Sequence, residues 1–308
     1  MLPSRIRKTR PRLTALLAGA AALALLSGCA ATAAPDNGKT GDTAAVKADA
    51  SLFETLPADI QKSKTIRIGT EAQYAPYEYI DKDGSTISGL DPDLVNAIAD
   101  RLGVKITLTN TAFDGLLPAL DGKRFDMLAA GFTDTKAREA QYDFVNYFRS
   151  GQAIVVKTGN PEKLTSMADL CGQPVSVLKA SVQETMLNDL NAAECASNKV
   201  DIVSLPDNQT AFLQIQSGRV KALLVQDPVA RYNIAQQGDG SVFEVGNTEL
   251  ITPSVIGFMF TKDATELRDA VQAALQSLID DGTYQDILEA RKLGNGAVES
   301  ATLNGGLA

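Results

Sequence analysis

Asp91-Pro92-Asp93-Leu94-Val95-Asn96-Ala97-Ile98-Ala99-Asp100-Arg101-Leu102-Gly103-Val104-Lys105-Ile106-Thr107-Leu108 is the stretch that decides the fold. Leu94, Val95, Ile98 and Leu102 recur at helical spacing. Asp91 reads as the N-cap and Pro92 as the first helical residue. Gly103 ends the helix, and Val104 to Leu108 alternate as a strand. Upstream, Thr65-Ile66-Arg67-Ile68-Gly69 alternates in the same way. Downstream, a short helix with Leu116, Leu117 and Leu120 leads to the strand Phe125-Asp126-Met127-Leu128-Ala129. The order β-α-β-α-β predicts an α/β fold with a mostly parallel sheet.

Outward from there, 152–157 reads as a further strand and the pattern then restarts. Strands are expected at 174–178, 200–204 and 220–225, with helices at 181–190, 208–216 and 228–236. The run 253–260 suits a buried strand. A helix at 264–280 carries the stripe Leu267, Val271, Ala274, Leu275 and Leu278, and a last helix covers 284–292. Two similar α/β units in succession imply two lobes, with no residue-level repeat between them. Ligands of open parallel sheets sit at the carboxyl ends of strands. That directs attention to the segments after Gly69, Ala130, Leu178 and Val225.

The N-terminal region addresses location. Arg5, Arg7, Lys8, Arg10 and Arg12 precede an apolar run from Leu13 to Leu26, closed by Ser27-Gly28-Cys29-Ala30. This is the order of a secretory signal. The run is shorter than the roughly 20 residues a spanning helix needs. Leu26-Ser27-Gly28-Cys29 resembles a bacterial lipobox, which implies cleavage before Cys29 and lipid on its thiol. Residues 1–28 are therefore expected to be a lipoprotein signal peptide. Residues 29–59 are expected to be a flexible tether and 294–308 a flexible tail, both poor in large apolar residues. Loss of 1–28 moves the formal charge from −8 to −13, which disfavours nucleic-acid binding. The chain has no histidine, which excludes a Ser-His-Asp triad and a His metal cluster. With Cys29 lipidated, Cys171 and Cys195 remain as an even pair outside the cytoplasm, which reads as a disulfide.

Several segments offer binding chemistry beside a structural explanation. Tyr74 and Tyr77 in the loop after the first strand, and Phe113, can face a ligand or pack locally. In Ala130-Gly131-Phe132-Thr133-Asp134-Thr135-Lys136-Ala137-Arg138, Gly131 permits close approach, Thr133 offers a hydroxyl and Arg138 a fork suited to a carboxylate. Thr133 as an N-cap and Arg138 as a surface residue explain the same spacing. Ser181 to Glu184 fits a capping box, and the same helix start can hold an anion. Asp227 before Pro228 is either a helix cap or a carboxylate for an ammonium group. An arginine with helix N-termini, and an aspartate opposite, suit a zwitterion such as an α-amino acid.

These marks, in this order, resemble the extracytoplasmic solute-binding proteins of polar amino acid ABC importers, bacterial solute-binding protein family 3. The resemblance runs over about 64–293. It is carried by Ile66-Arg67-Ile68-Gly69-Thr70 leading to Tyr74-Ala75-Pro76-Tyr77-Glu78, by Gly89-Leu90-Asp91-Pro92-Asp93-Leu94, and by Phe113-Asp114-Gly115-Leu116-Leu117-Pro118-Ala119-Leu120. Further marks are Phe125-Asp126, Thr133 with Arg138, Asp143-Phe144 leading to Ser150-Gly151-Gln152, Asp169-Leu170, and Asp281-Gly282-Thr283-Tyr284. It implies a type II periplasmic-binding-protein-like fold of two lobes, each a mostly parallel sheet flanked by helices, joined by a two-strand hinge. Lobe 1 would be 60–152 plus 254–293 and lobe 2 153–253, with crossovers near Gly151 and Pro253. Cys171 and Cys195 would share one lobe.

By position, the resemblance implies that Tyr74 and Phe113 sandwich the ligand side chain and that Ala130 and Gly131 give backbone contacts. Thr133 would give a hydroxyl and Arg138 pair with the α-carboxylate. Ser181 and the N–H of Val182 would touch that carboxylate from the other lobe, and Asp227 would hold the α-ammonium. Leu178, Lys179 and Gln226 would face the side chain. Glu71 stands where many members have Asp, and Ala180-Ser181 replaces Gly-Thr. The implied function is capture of a polar amino acid, glutamine-like or cationic, and delivery to a membrane permease. The implied protein is a monomer, lipid-anchored on the outer face of the cell membrane in the Gram-positive manner. No cofactor, metal or catalysis is expected. The alternatives are a cyclohexadienyl dehydratase-like enzyme on the same fold, or a receptor for another small solute.

Overall fold

The computed structural model describes residues 46–238 and 240–306. The signal region, Cys29 and the first part of the expected tether lie outside these residues. Two short helices open the described chain, α1 (Ala50–Glu54) and α2 (Ala58–Ser63). The tether expectation is therefore corrected from Ala50 onward. Asp49 caps α1 by accepting from Ser51 N–H, and Leu56 and Ile60 are buried in the main core. Those two apolar side chains tie the segment down.

Strand β1 (Thr65–Thr70) follows, then a small antiparallel sheet of β2 (Gln73–Tyr74), β3 (Glu78–Ile80) and β4 (Ile87–Ser88). Next come α3 (Leu90–Leu102), β5 (Lys105–Asn110), α4 (Phe113–Asp121), β6 (Met127–Leu128) and α5 (Lys136–Glu139). β1 pairs in parallel with both β5 and β6. Helix α3 starts two residues earlier than its sequence suggests, capped by Gly89, so Asp91 is not the N-cap. Gly89 has φ +136°, and a Cβ there would meet Tyr77 O at 2.1 Å. The backbone turn at Gly89 displaces Asp91 into the first helical turn and frees its carboxylate for other partners.

The chain then runs through one long strand, β7 (Tyr142–Lys157). The second series is β8 (Pro174–Leu178), α6 (Val182–Ala192), β9 (Asp201–Leu205), α7 (Asn208–Gln216), β10 (Ala222–Gln226), α8 (Asp227–Gln236) and β11 (Phe243–Val245). Here β8 pairs in parallel with β9 and β10. Strand β12 (Ile251–Thr261) returns antiparallel to β7. It is followed by α9 (Thr265–Asp280), α10 (Thr283–Ala290) and β13 (Thr302–Leu303). The sheet order β5-β1-β6-β12-β7-β10-β8-β9 thus joins two mostly parallel α/β halves through two long central strands. Gly151 and Pro253 fall inside those strands, and the β12–β7 register slips between Ile251 and Ser254.

Cys171 and Cys195 form a disulfide within the second half. Its apolar surroundings include Leu164, Leu170, Leu187 and Val200. The flexible-tail expectation is corrected as far as residue 306. β13 pairs with β7, and Ala301 is buried. Among the described residues, no helix is long and apolar enough to cross a membrane.

Candidate ligand-binding cleft

The strand ends singled out from the sequence converge. Tyr74, Phe113, Gly131, Thr133 and Arg138 from the first half meet Leu178, Ser181, Val182, Gln183 and Gln226 from the second, around a nearly closed cleft of about 10 Å³. Gly131 follows β6 with φ +54°, and a Cβ there would lie 3.1 Å from the Tyr74 ring and 3.3 Å from Tyr77. Only glycine lets both tyrosines stack against this backbone; their ring centroids are 5.8 Å apart.

Phe113 stacks on Phe132 at 4.9 Å, and the Arg138 guanidinium lies 5.3 Å over the Phe132 ring. Arg138 leaves α5 toward the cleft because Thr135, not Thr133, caps that helix. Its Nη1 donates to Thr133 O at 2.9 Å. The residue keeps some exposed surface, while burial of its charged head pulls its pKa down to about 10. Among the described residues it forms no ion pair. A sheltered guanidinium that makes no ion pair among the described residues is set up to take an anion.

On the opposite wall, Ser181 caps α6 through Glu184 N–H at 3.2 Å, while Ala180 N–H donates to Glu184 Oε2 at 2.7 Å. Ala180 sits at φ +61°, in the left-handed region. Ser181, Val182 and Gln183 at the start of α6 line the same cleft as Arg138. Gln226 spans the cleft: its Nε2 donates to Gly131 O at 2.8 Å and to Thr133 Oγ1 at 3.1 Å. Its Oε1 is buried without a partner.

Four expected residues lie off this lining. Ala130 is packed in the core with Leu116, Phe132 and Phe144. Lys179 pairs with Asp114 at 2.9 Å on an exposed rim, joining the two halves. Asp227 accepts from Arg231 Nε at 2.8 Å and lines a different, more open cavity beside Ser150, Leu250 and Ser254. Glu71 is buried, and its Oε2 has no partner. Burial, then the nearby Asp207 carboxylate, push its pKa up to about 7.

Two residues were not anticipated. Gln183 lines the cleft and donates to Gln152 Oε1 at 2.6 Å. Its signal was its place in the first turn after Ser181. Asp91 works from behind. Its Oδ2 accepts from Gly131 N–H at 3.0 Å and its Oδ1 from the Tyr147 hydroxyl. It thereby fixes the Ala130–Gly131 peptide behind the cleft. Burial raises Asp91 to about 6 and Glu78, beside it, well above the carboxylate range. Burial is the main cause of both shifts, and the Asp91 charge adds to that on Glu78.

Residues 66–290 match the family described as bacterial extracellular solute-binding proteins, family 3. The L-cystine-binding protein TcyA of Bacillus subtilis is 32% identical over 274 residues, covering 86% of this chain and 91% of that protein. The arginine-binding protein ArgT of Corynebacterium glutamicum is 29% identical over 252 residues, 81% of each. Among solved structures, an ancestral arginine-binding protein bound to glutamine superposes with a TM-score of 0.68 at 33% identity, covering 75% of this chain and 98% of that one. These relatives are binding proteins rather than enzymes. The two α/β halves, the cleft between them and the match over 66–290 agree: the chain belongs to the bacterial extracellular solute-binding proteins, family 3.

Proposed function

We propose that this protein captures a free amino acid between two lobes, 60–152 plus 254–293 and 153–253, and delivers it to the membrane permease of an ABC importer. A lipid on Cys29 would hold it at the outer face of the membrane. The observation that carries this reading is the Arg138 guanidinium, sheltered beside Phe132 and, among the described residues, in no ion pair. An α-carboxylate would pair with Arg138 and with the N–H groups at the start of α6. Tyr74 and Phe113 would enclose the side chain. Asp227 would receive the α-ammonium by giving up Arg231 and turning from its neighbouring cavity toward the cleft.

The side chain favoured is polar, and Glu71 supports a cationic one. A buried carboxyl facing a second acid would be relieved by a positive charge. Relatives named for arginine and for cystine bracket this choice. A thermal-shift screen of residues 30–308 against the twenty amino acids tests the proposal. A ligand at 100 times its dissociation constant adds about 2.7 kcal/mol. The expected result is a clear shift with one or a few polar amino acids. No shift with any of them would remove the amino-acid reading.

A further inference from the structure

The family match stops at residue 290, yet the chain continues as an ordered strap. Val298 N–H donates to the Tyr284 hydroxyl at 2.9 Å, and Ala301 N–H to Gln276 Oε1 at 2.9 Å. β13 then pairs with β7 at Thr302↔Asn146 and Leu303↔Val145. Asn304 Oδ1 accepts from Phe144 N–H at 2.8 Å, and its Nδ2 donates to Asp143 Oδ1 at 3.0 Å. This segment has few large apolar side chains and is held mainly by directed hydrogen bonds.

Those bonds converge on the turn that carries Thr133 and Arg138. Asn146 is fully buried, and every polar atom of its side chain is engaged. Its Oδ1 accepts from Thr302 Oγ1 at 3.1 Å and Gly305 N–H at 2.8 Å, which leaves Nδ2 to donate to Asp134 Oδ2 at 2.9 Å. Gly306 N–H donates to Glu139 Oε1 at 2.9 Å. A Cβ on Gly306 would meet Asp134 Oδ1 and Glu139 Oε1 at 2.8 Å and the Asp134 carbonyl carbon at 2.9 Å. The strap backbone therefore lies directly on the turn. From the other side β12 holds it, with Asp134 N–H donating to Val255 O at 2.9 Å.

We propose that Thr302–Gly306 is a positioning element for the cleft: through Asn146 it holds the Asp134 carboxylate away from Arg138, leaving that guanidinium free for an anionic ligand group. Asp134 is an acid close enough for its charge to act on Arg138. With the strap displaced, the Asn146 amide loses the partners that orient it. Asp134 can then swing onto Arg138 and compete with the ligand. The affinity part of this inference rests on the amino-acid reading above; the positioning part does not.

The test uses the full chain from residue 30 with Gly306→Val, which cannot fit against Asp134, and Asn304→Ala, which releases the strap without adding bulk. Hydrogen exchange of residues 131–140, measured without ligand, should accelerate about tenfold in both, with the second half unchanged. Calorimetric affinity for L-arginine as the probe should fall about tenfold, equivalent to about 1.4 kcal/mol. Adding Asp134→Asn to Gly306→Val should restore affinity to within about threefold of native, because an amide cannot neutralise Arg138. A merely structural strap would not be rescued in this way. Unchanged exchange at 131–140, affinity within twofold of native, or no rescue would each overturn the proposal. If the native chain binds no amino acid, the function reading fails, and the exchange measurement still decides the strap.

Discussion

Replacing Arg138 by leucine separates binding from folding, because the two effects have opposite signs. In the protein alone the guanidinium has one backbone acceptor, Thr133 O at 2.9 Å, and the face of Phe132. Burial pulls its pKa to about 10, which corresponds to roughly 3 kcal/mol against the charged form. Leucine fills much of the same space without that cost. Unfolding free energy without ligand should therefore stay within about 1 kcal/mol of native or rise. With an amino acid bound, the same substitution leaves a carboxylate sheltered without its partner. Breaking such a pair costs about 3–5 kcal/mol, or more than about a hundredfold in affinity. Urea denaturation and calorimetry on the same preparations read both numbers. Affinity within a few-fold of native, or a loss of several kcal/mol of stability without ligand, would refute the reasoning.

Three further outcomes are expected. Glu71 binds a proton in the folded state up to about pH 7 that the unfolded chain releases near about 4.3. Its contribution is thus present below about pH 4.3 and lost as pH rises toward 7, by roughly 4 kcal/mol at most. Urea midpoints should fall over that window, less so in Glu71→Gln, and L-arginine affinity should rise over it in the native protein but not in the variant. The Cys171–Cys195 bridge spans a sequence separation of 24. Replacing both cysteines by serine should cost about 3 kcal/mol in denaturation while leaving ligand affinity within about twofold. Ala180→Gly should relieve the left-handed backbone at φ +61° and raise the melting temperature, by up to about 1 kcal/mol in stability, with affinity unchanged.

Legibility followed the kind of force involved. The sequence marks helix α7 to the residue, 208–216, because Asp207 is suited to cap it and apolar positions recur along it. The first part of β7 carries no strand signal in its sequence. It is buried on both faces from Tyr142 to Phe148, so no alternation exists to be seen. The small sheet β2-β3-β4 has strands of two or three residues, too short for any period. Asp91 was read as a cap because Asp-Pro is a good helix start. The decisive feature was instead Gly89, whose conformation is imposed by Tyr77 a turn away in space. The strap from Gly294 was read as flexible since it is polar and small, yet its anchors lie some 160 residues upstream in sequence, as with Asn304 on Phe144. In the cleft, the loop ends after β6, β8 and β10 were legible from strand-to-helix transitions. Partners such as Asp91 for Gly131, and Gln226 for Thr133, depend on how elements distant in sequence meet.

The central claim is that an amino acid is held by its α-carboxylate at Arg138. Calorimetric titration of the chain from residue 30 with the best-binding amino acid, and with its methyl ester, tests it most directly. The account predicts one-to-one binding of the free acid and at least about a hundredfold weaker binding of the ester, which has no carboxylate to offer. Equal affinity for acid and ester would contradict it.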